Sequence, residues 1–413
     1  MRLNDRPPSE QRLLDTAPSP PALTARVKAL ARGLGFDPVG ITSAAPFVEA
    51  ERITLERLRA GMMDGLPWFH EQRVRRGARP EALLPGARSV VSLALPYHTP
   101  APQVPEDGKP RGRVSRYAWA ADYHKVIERR TKELTAAIKQ LGGTARAYVD
   151  YGPLPDRAVA GRAGVGWFGK HTNLITSGQG SWVFLAEVIT DLELAPDQPL
   201  KKSCGACTAC IPSCPTGAIV APYTIDNTRC ISYHTIENRG PIPREMRPLM
   251  SDWIYGCDLC QDACPVNHRA GARSRLQGDA AFAAASVESS RPDLIALLSM
   301  TEAEFLDRYR GSPIRRAKYA GFLRNVCVAL GNSASPGAVP SLVRALAHEA
   351  PLVRGHAAWA LGRIGGDAAT GALRTALLAE YDPWVREELR LALGWPDGSG
   401  TLDRPTDPHE AVP

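Results

Sequence analysis

Eight of the nine cysteines in this 413-residue chain are spaced as if to hold inorganic clusters. Cys204, Cys207, Cys210 and Cys214 run into Pro215 as CxxCxxCxxxCP, Cys257, Cys260 and Cys264 run into Pro265 as CxxCxxxCP, and Cys230 lies between. The first run is the spacing with which thiolates wrap [4Fe–4S] cubanes in pairs. Three close thiolates hold three irons of one cube. The fourth, beyond a wider gap, points toward a neighbouring cube, and the proline turns the chain out of the loop. On that logic one cluster takes Cys204, Cys207, Cys210 and Cys264, and the other takes Cys214, Cys230, Cys257 and Cys260. The interleaving forces the two cubes close together. Zinc is the competing chemistry, since CxxC pairs also build tetrahedral sites, but zinc ribbons do not ordinarily carry CxxCxxC triplets. Disulfides are disfavoured because the start, MRLNDRPPSEQ, has neither an apolar leader nor a twin-arginine pair. Cys327, in FLRNVCVALG, reads as a small buried apolar residue.

Such clusters move electrons singly and leave bond chemistry to something else, so a second site is needed. The elements around them suggest where. Residues 1–21 hold five prolines and read as a disordered lead-in. From Pro21 a helix-spaced apolar pattern (ALTARVKALARGLGF) precedes a strand at DPVGIT, a second at ARSVVSLALPY, a helix at YHKVIERRTKELTAAIKQLGG, and strands at ARAYVD and SWVFLAEVIT. Helix and strand alternate, which predicts an α/β domain over residues 22–195. Residues 196–284, dense in cysteine and proline, form a ferredoxin-like module for two [4Fe–4S] clusters. Residues 285–396 are helical, and Ala-Leu-Gly recurs at 329, 360 and 392, each time closing an amphipathic helix. That period predicts an all-α domain of HEAT-like repeats, with an unrelated helical bundle as the alternative. Residues 397–413 read as a disordered tail. The longest apolar stretch, SVVSLALPY, falls short of the about 20 residues a membrane helix needs. The chain is therefore expected in the cytosol, off the membrane, acting as a monomer. Its formal charge of +7 favours polyanionic partners without proving one.

Residues 148–175, YVDYGPLPDRAVAGRAGVGWFGKHTNLI, together with CPTGAIVAPYTIDNTRCISYHTIE and EMRPLMSDWIYGCDLCQDACPVN, resemble the epoxyqueuosine reductase family. The resemblance covers about residues 22 to 395, and the HEAT-like tail is also a feature of that family. It implies a base-off cobalamin between the α/β domain and the cluster module, fed with electrons by the clusters and ultimately by an external low-potential donor. It implies tRNA carrying epoxyqueuosine as substrate, the wobble-base epoxide becoming an alkene while its oxygen leaves as water. Asp150 matches the family's proton donor, with a pKa raised by the apolar corrin and its neighbours. Read without the family, an aspartate in VDYGP is equally a turn former. The family's cobalamin contacts map onto Ser115, Leu174, Thr176, Leu185, Ser232 and Asp258, as well as Asp150. A further family arginine falls on Gly77, and a one-residue slip would let Arg76 replace it. Residues 308–324, RYRGSPIRRAKYAGFLR, hold six basic side chains and no acidic one, and read as a tRNA contact through Arg315, Arg316, Lys318 and Arg324. A solvated helix face is the alternative. Two other functions fit part of the pattern: a corrinoid reductive dehalogenase, whose export signal is missing here, and a non-catalytic iron–sulfur carrier, which would have no use for the large α/β domain.

Overall fold

A computed structural model describes residues 19–272 and 278–394, so the expected lead-in and the C-terminal tail lie almost wholly outside the described residues. The N-terminal domain is built on a four-stranded sheet in the order Val39–Ser43, Ser89–Pro96, Val183–Thr190, Ala145–Val149, the first and last forming its edges. All eight positions of Ser89–Pro96 are buried, which is why it reads as an unbroken apolar run. One face is covered by the helices Pro20–Gly33 and Tyr123–Gln140. The latter turns Tyr123, Ile127, Thr131, Leu134 and Ile138 inward at helical spacing. These meet Ile41, Val91, Leu93 and Val188 in one core. The short helix Asp156–Arg162 covers the other face through Val159 and Ala160. Every pairing in this sheet is antiparallel. Ser89–Pro96 and Ala145–Val149 both run antiparallel to the strand between them and so share a heading, which makes the link through Tyr123–Gln140 a parallel crossover although no two neighbouring strands are parallel.

Residues 200–229 bury few apolar side chains, namely Cys210, Ala218 and Ile219, too little for a hydrophobic core. Cross-links through cysteine are the stabilisation its sequence offers instead. The following segment packs elsewhere: Ile231, Trp253, Ile254 and Tyr255 join one continuous core with the C-terminal helices. A detour from the first domain enters that core too, where Arg113–Val114 pairs in parallel with Trp253–Tyr255. The C-terminal helices Tyr319–Ser333 and Pro351–Ile364 each contain one Ala-Leu-Gly triplet, and the third triplet ends Pro383–Leu393 with Gly394 as its C-cap. The glycines explain the repeat. A Cβ at Gly331 would come within 2.9 Å of Ala360 Cα, and one at Gly362 within 2.9 Å of Ala392 Cα, so each glycine lets the next helix close in. Among the described residues, no helix is long and apolar enough to cross a membrane.

Candidate active site and cluster-binding cysteines

All nine cysteines are free thiols, with Cys210 and Cys264 buried and Cys207 exposed. Burial pushes the Cys210 thiol up to about 11, and its neighbours Cys204, Cys264 and Cys207 push the same way. Cys257 is raised first by burial and then by Cys260 and Cys230, and Cys260 first by burial and then by Cys230 and Cys214. Four clustered thiols that penalise one another's ionisation gain from cations that bind them all as thiolates. The thiols that act on Cys210, and those that act on Cys257 and Cys260, fall within the two expected foursomes, and Cys210 also acts on Cys260. Two local devices shape the loops. The Cys207 amide closes a turn on the Cys204 carbonyl at 3.0 Å, and the Ala218 amide donates to Cys214 Sγ at 3.3 Å.

Asp150 follows directly on the edge strand, one step past the Val149↔Ala186 pair, so the ladder sets it beside Leu185. Its φ is +49°, in the left-handed region that aspartate tolerates better than most residues. The carboxylate is 52% exposed. Tyr123 donates its phenol to Asp150 Oδ2, and His124 Nε2 stands 3.5 Å from the same oxygen. The loop beyond is held from two sides: Arg73 donates to the carbonyls of Tyr151 and Gly152 at 2.7 and 2.6 Å, and the Tyr151 phenol donates to Glu128. Burial raises the Asp150 pKa, but His124 and Tyr123 outweigh it, with Arg316 adding to them, and the net shift is downward. The expected upward shift is thus reversed in the protein's own surroundings, because hydrogen bonds from His124 and Tyr123 outweigh burial of the carboxylate. Arg316 reaches this place from the helical domain, pairing with Glu237 at 2.5 Å and stacking over Trp68 at 5.2 Å. All three parts of the molecule meet here.

Three family profiles match the chain: "Epoxyqueuosine reductase QueG, DUF1730" over residues 77–151, "4Fe-4S double cluster binding domain" over 203–267, and "HEAT repeats" over 316–394. The epoxyqueuosine reductase of Salmonella typhimurium is 41% identical over 350 residues, spanning 83% of this chain and 88% of that protein. That of Escherichia coli is 40% identical over 348 residues, spanning 83% and 89%. The chain belongs to the epoxyqueuosine reductase family. A crystal structure of an epoxyqueuosine reductase with an epoxyqueuosine-modified tRNA-Tyr stem loop superposes with a TM-score of 0.83 at 31% identity, covering 90% of this chain and 98% of that one. The Bacillus subtilis family member, with its catalytic aspartate loop swung out of the active site, superposes with a TM-score of 0.81 at 31% identity, covering 90% and 98%.

The other residues aligned with this reductase family's contacts scatter in their roles. Leu185 is half-buried and, with Val183, packs on a small apolar cluster that holds Leu174, Ala94 and Ala160. Ser232 is half-buried next to Ile231, on the short helix that Cys230 caps. Thr176 is fully buried, its hydroxyl spent on the Gly180 carbonyl and the Gln179 amide, and Leu174 is 3% exposed. Both are expected cobalamin contacts, through backbone or packing. Asp258 accepts from the Ser115 hydroxyl and, at 2.8 Å, from the Arg116 amide, so this pair ties the detour to the cluster helix. Burial raises Asp258 to about 6, Asp262 adding to it.

A Cβ at Gly77 would meet the Pro153 carbonyl at 1.7 Å, so no side chain fits there, and Arg76 is exposed. The arginine of that helix that grips the Asp150 loop is Arg73, which sequence reasoning passed over. In the basic run, Arg315 and Lys318 are exposed. Arg324 is not a tRNA contact: it is 1% exposed and donates to the His234, Asn238 and Gly240 carbonyls. It lies in a stretch of its helix that is buried all round, from Gly321 to Gly331, and the apolar residues Phe322, Leu323 and Val326 beside it were the signal against it. His124 and Asp122 also went unread. An aspartate ahead of a periodic helix signals a cap, but nothing local says that the helix starts against the strand end carrying Asp150.

Proposed function

We propose that the protein reduces epoxyqueuosine at the wobble position of tRNA to queuosine. The carrying observation is the half-exposed Asp150 carboxylate, held by Tyr123 and His124 where all three parts of the chain meet. The overall change is epoxide plus two electrons and two protons to alkene plus water. Cys204, Cys207, Cys210 and Cys264 would hold one [4Fe–4S] cluster, and Cys214, Cys230, Cys257 and Cys260 the other. The exposed Cys207 makes the first cluster the entry point for electrons from an external donor. A cobalamin fits the wall beside Asp150: Val183 and Leu185 are partly exposed members of an otherwise buried apolar cluster, and the Ser232 hydroxyl could serve a polar substituent. When bound it supplies low-potential reduction at the epoxide carbon.

The chain's own residues do the rest. Asp150 delivers a proton to the epoxide oxygen as its bond to carbon opens, avoiding a free alkoxide. Tyr123 and Arg73 fix the carboxylate and its loop. Arg316 places positive charge across from Asp150, where negative charge develops on oxygen. Arg315 and Lys318, exposed on the opening of the helical domain, meet backbone phosphate. The test is Asp150→Asn in the anaerobically prepared enzyme. Conversion of an epoxyqueuosine-bearing stem loop should fall by about 10²–10⁴-fold, the range for losing a general acid, with iron content unchanged. Full conversion by that variant would remove Asp150 from the mechanism. Conversion of a haloorganic compound in place of the RNA would overturn the substrate.

A further inference from the structure

An ionised Asp150 has no proton to give, yet the reaction that rests on it consumes two. The missing proton has a place one residue away from Tyr123. Asp122 caps the Tyr123–Gln140 helix, its Oδ1 accepting from the His124 amide at 3.1 Å and standing 2.8 Å from His124 Nδ1. The other ring nitrogen, Nε2, faces Asp150 at 3.5 Å. The ring stacks on Tyr123 with centroids 4.1 Å apart, and on Tyr151 at 5.6 Å, so its plane is fixed between two carboxylates. A cap needs only the amide contact. Aligning both ring nitrogens with carboxylates is an added arrangement that favours a doubly protonated imidazole.

We infer that Asp122, His124 and Asp150 form a proton-delivery line, in which His124 stores the proton that Asp150 passes to the departing oxygen. His124 Nε2–H gives its proton to Asp150 Oδ2, and Asp150 O–H gives one to the epoxide oxygen as the C–O pair moves onto it. Solvent then reprotonates His124, and the same line supplies the second proton as the hydroxyl leaves as water. The two electrons come from the reduced clusters, as in the proposed function. Asp122 is the positioning residue, holding the ring and its charge.

The charges around the line agree. Burial pulls the His124 pKa down, but Asp122 and Asp150 overcome it and bring it up to about 9. On its own helix His124 is faced by Asp122 and Tyr123. From the strand-end loop it is faced by Asp150 and Tyr151, the latter tied to Glu128, and from the helical domain Arg316 acts on Asp150. At neutral pH the line therefore holds one proton on nitrogen, ready for transfer.

Ring-nitrogen NMR of the as-isolated enzyme, with His124→Gln to assign the signal, tests the charge state. His124 should titrate near 9, and in Asp122→Asn, where asparagine still caps the helix, its pKa should drop by about 1 unit or more. In single-turnover reduction of the modified stem loop, His124→Gln should lose about 10²-fold at about pH 8 and much less at about pH 6, where Asp150 can draw on solvent. Asp122→Asn should move the alkaline limb of the rate profile downward. Cluster absorbance in both variants reports that the fold is intact. A His124 that titrates at its ordinary value, or a His124→Gln enzyme with the wild-type rate and profile, overturns the line. An active Asp150→Asn enzyme would instead sink the proposed role of Asp150 itself.

Discussion

Arg324 and Arg315 lie nine positions apart in one basic run, and replacing each should have opposite consequences. The Arg324 guanidinium is buried without a carboxylate partner, donating to three backbone carbonyls and to Asn325 Oδ1, and burial lowers its pKa to about 9. In Arg324→Met the three carbonyls are stranded, each costing about 1–3 kcal/mol. Part is returned because a costly buried charge is gone, leaving a net loss of about 3 kcal/mol. For a protein of this size that is a fall in Tm of about 3–4 °C. Arg315→Ala removes an exposed side chain and should change stability by less than about 0.5 kcal/mol. Binding of a tRNA stem loop across a salt series separates the two further. Losing one phosphate contact at Arg315 should flatten the log–log slope by roughly 0.7–0.9, and Arg324→Met should leave the slope alone. Were Arg324→Met to melt with the wild type while binding tRNA with a flatter slope, the buried placement of this arginine would be refuted.

Two more expectations follow from the clusters and the sheet. Cys264→Ser should damage the cluster held by Cys204, Cys207 and Cys210 and spare its neighbour, so iron should fall from about eight to about four or five per chain and the remaining signal should stay reducible. Loss of all iron, or survival of all of it, would contradict the interleaved assignment. Fully buried Glu187 and half-buried Asp156 form a carboxyl pair, Asp156 raised to about 7 by burial and then by Asp150, and Glu187 raised by burial and then by Asp156. Both keep protons in the folded state that the unfolded chain releases near pH 4, so the pair costs stability increasingly as pH rises from about 4 to about 7. Glu187→Gln should therefore gain Tm over the wild type at about pH 8 and lose that advantage at about pH 4, as read by anaerobic thermal melts. A gain or loss that is equal at both pH values would contradict a proton-holding pair.

What the sequence determined by itself was whatever chemistry writes into short spacing. Thiolates that wrap a cube must recur at two- and three-residue gaps, so a double-cluster domain was readable, and the same spacing carries the proposed exchange of Cys214 and Cys264 between motifs. Helices with apolar stripes, the fully buried strand at Ser89–Pro96 and the Ala-Leu-Gly period were readable for the same reason: each is a local repeat that one buried face imposes. Tertiary structure alone decided which side chains work together. Asp150 meets His124 and Tyr123 because a strand end and a helix start converge, and it faces Arg316 because the helical domain folds back over them. Packing likewise divided one run of like charges, sending Arg324 inward and leaving Arg315 and Lys318 in solvent. Composition is blind to that division, since a charge run records how many cations there are and only the helix's orientation against its neighbours fixes which of them face water.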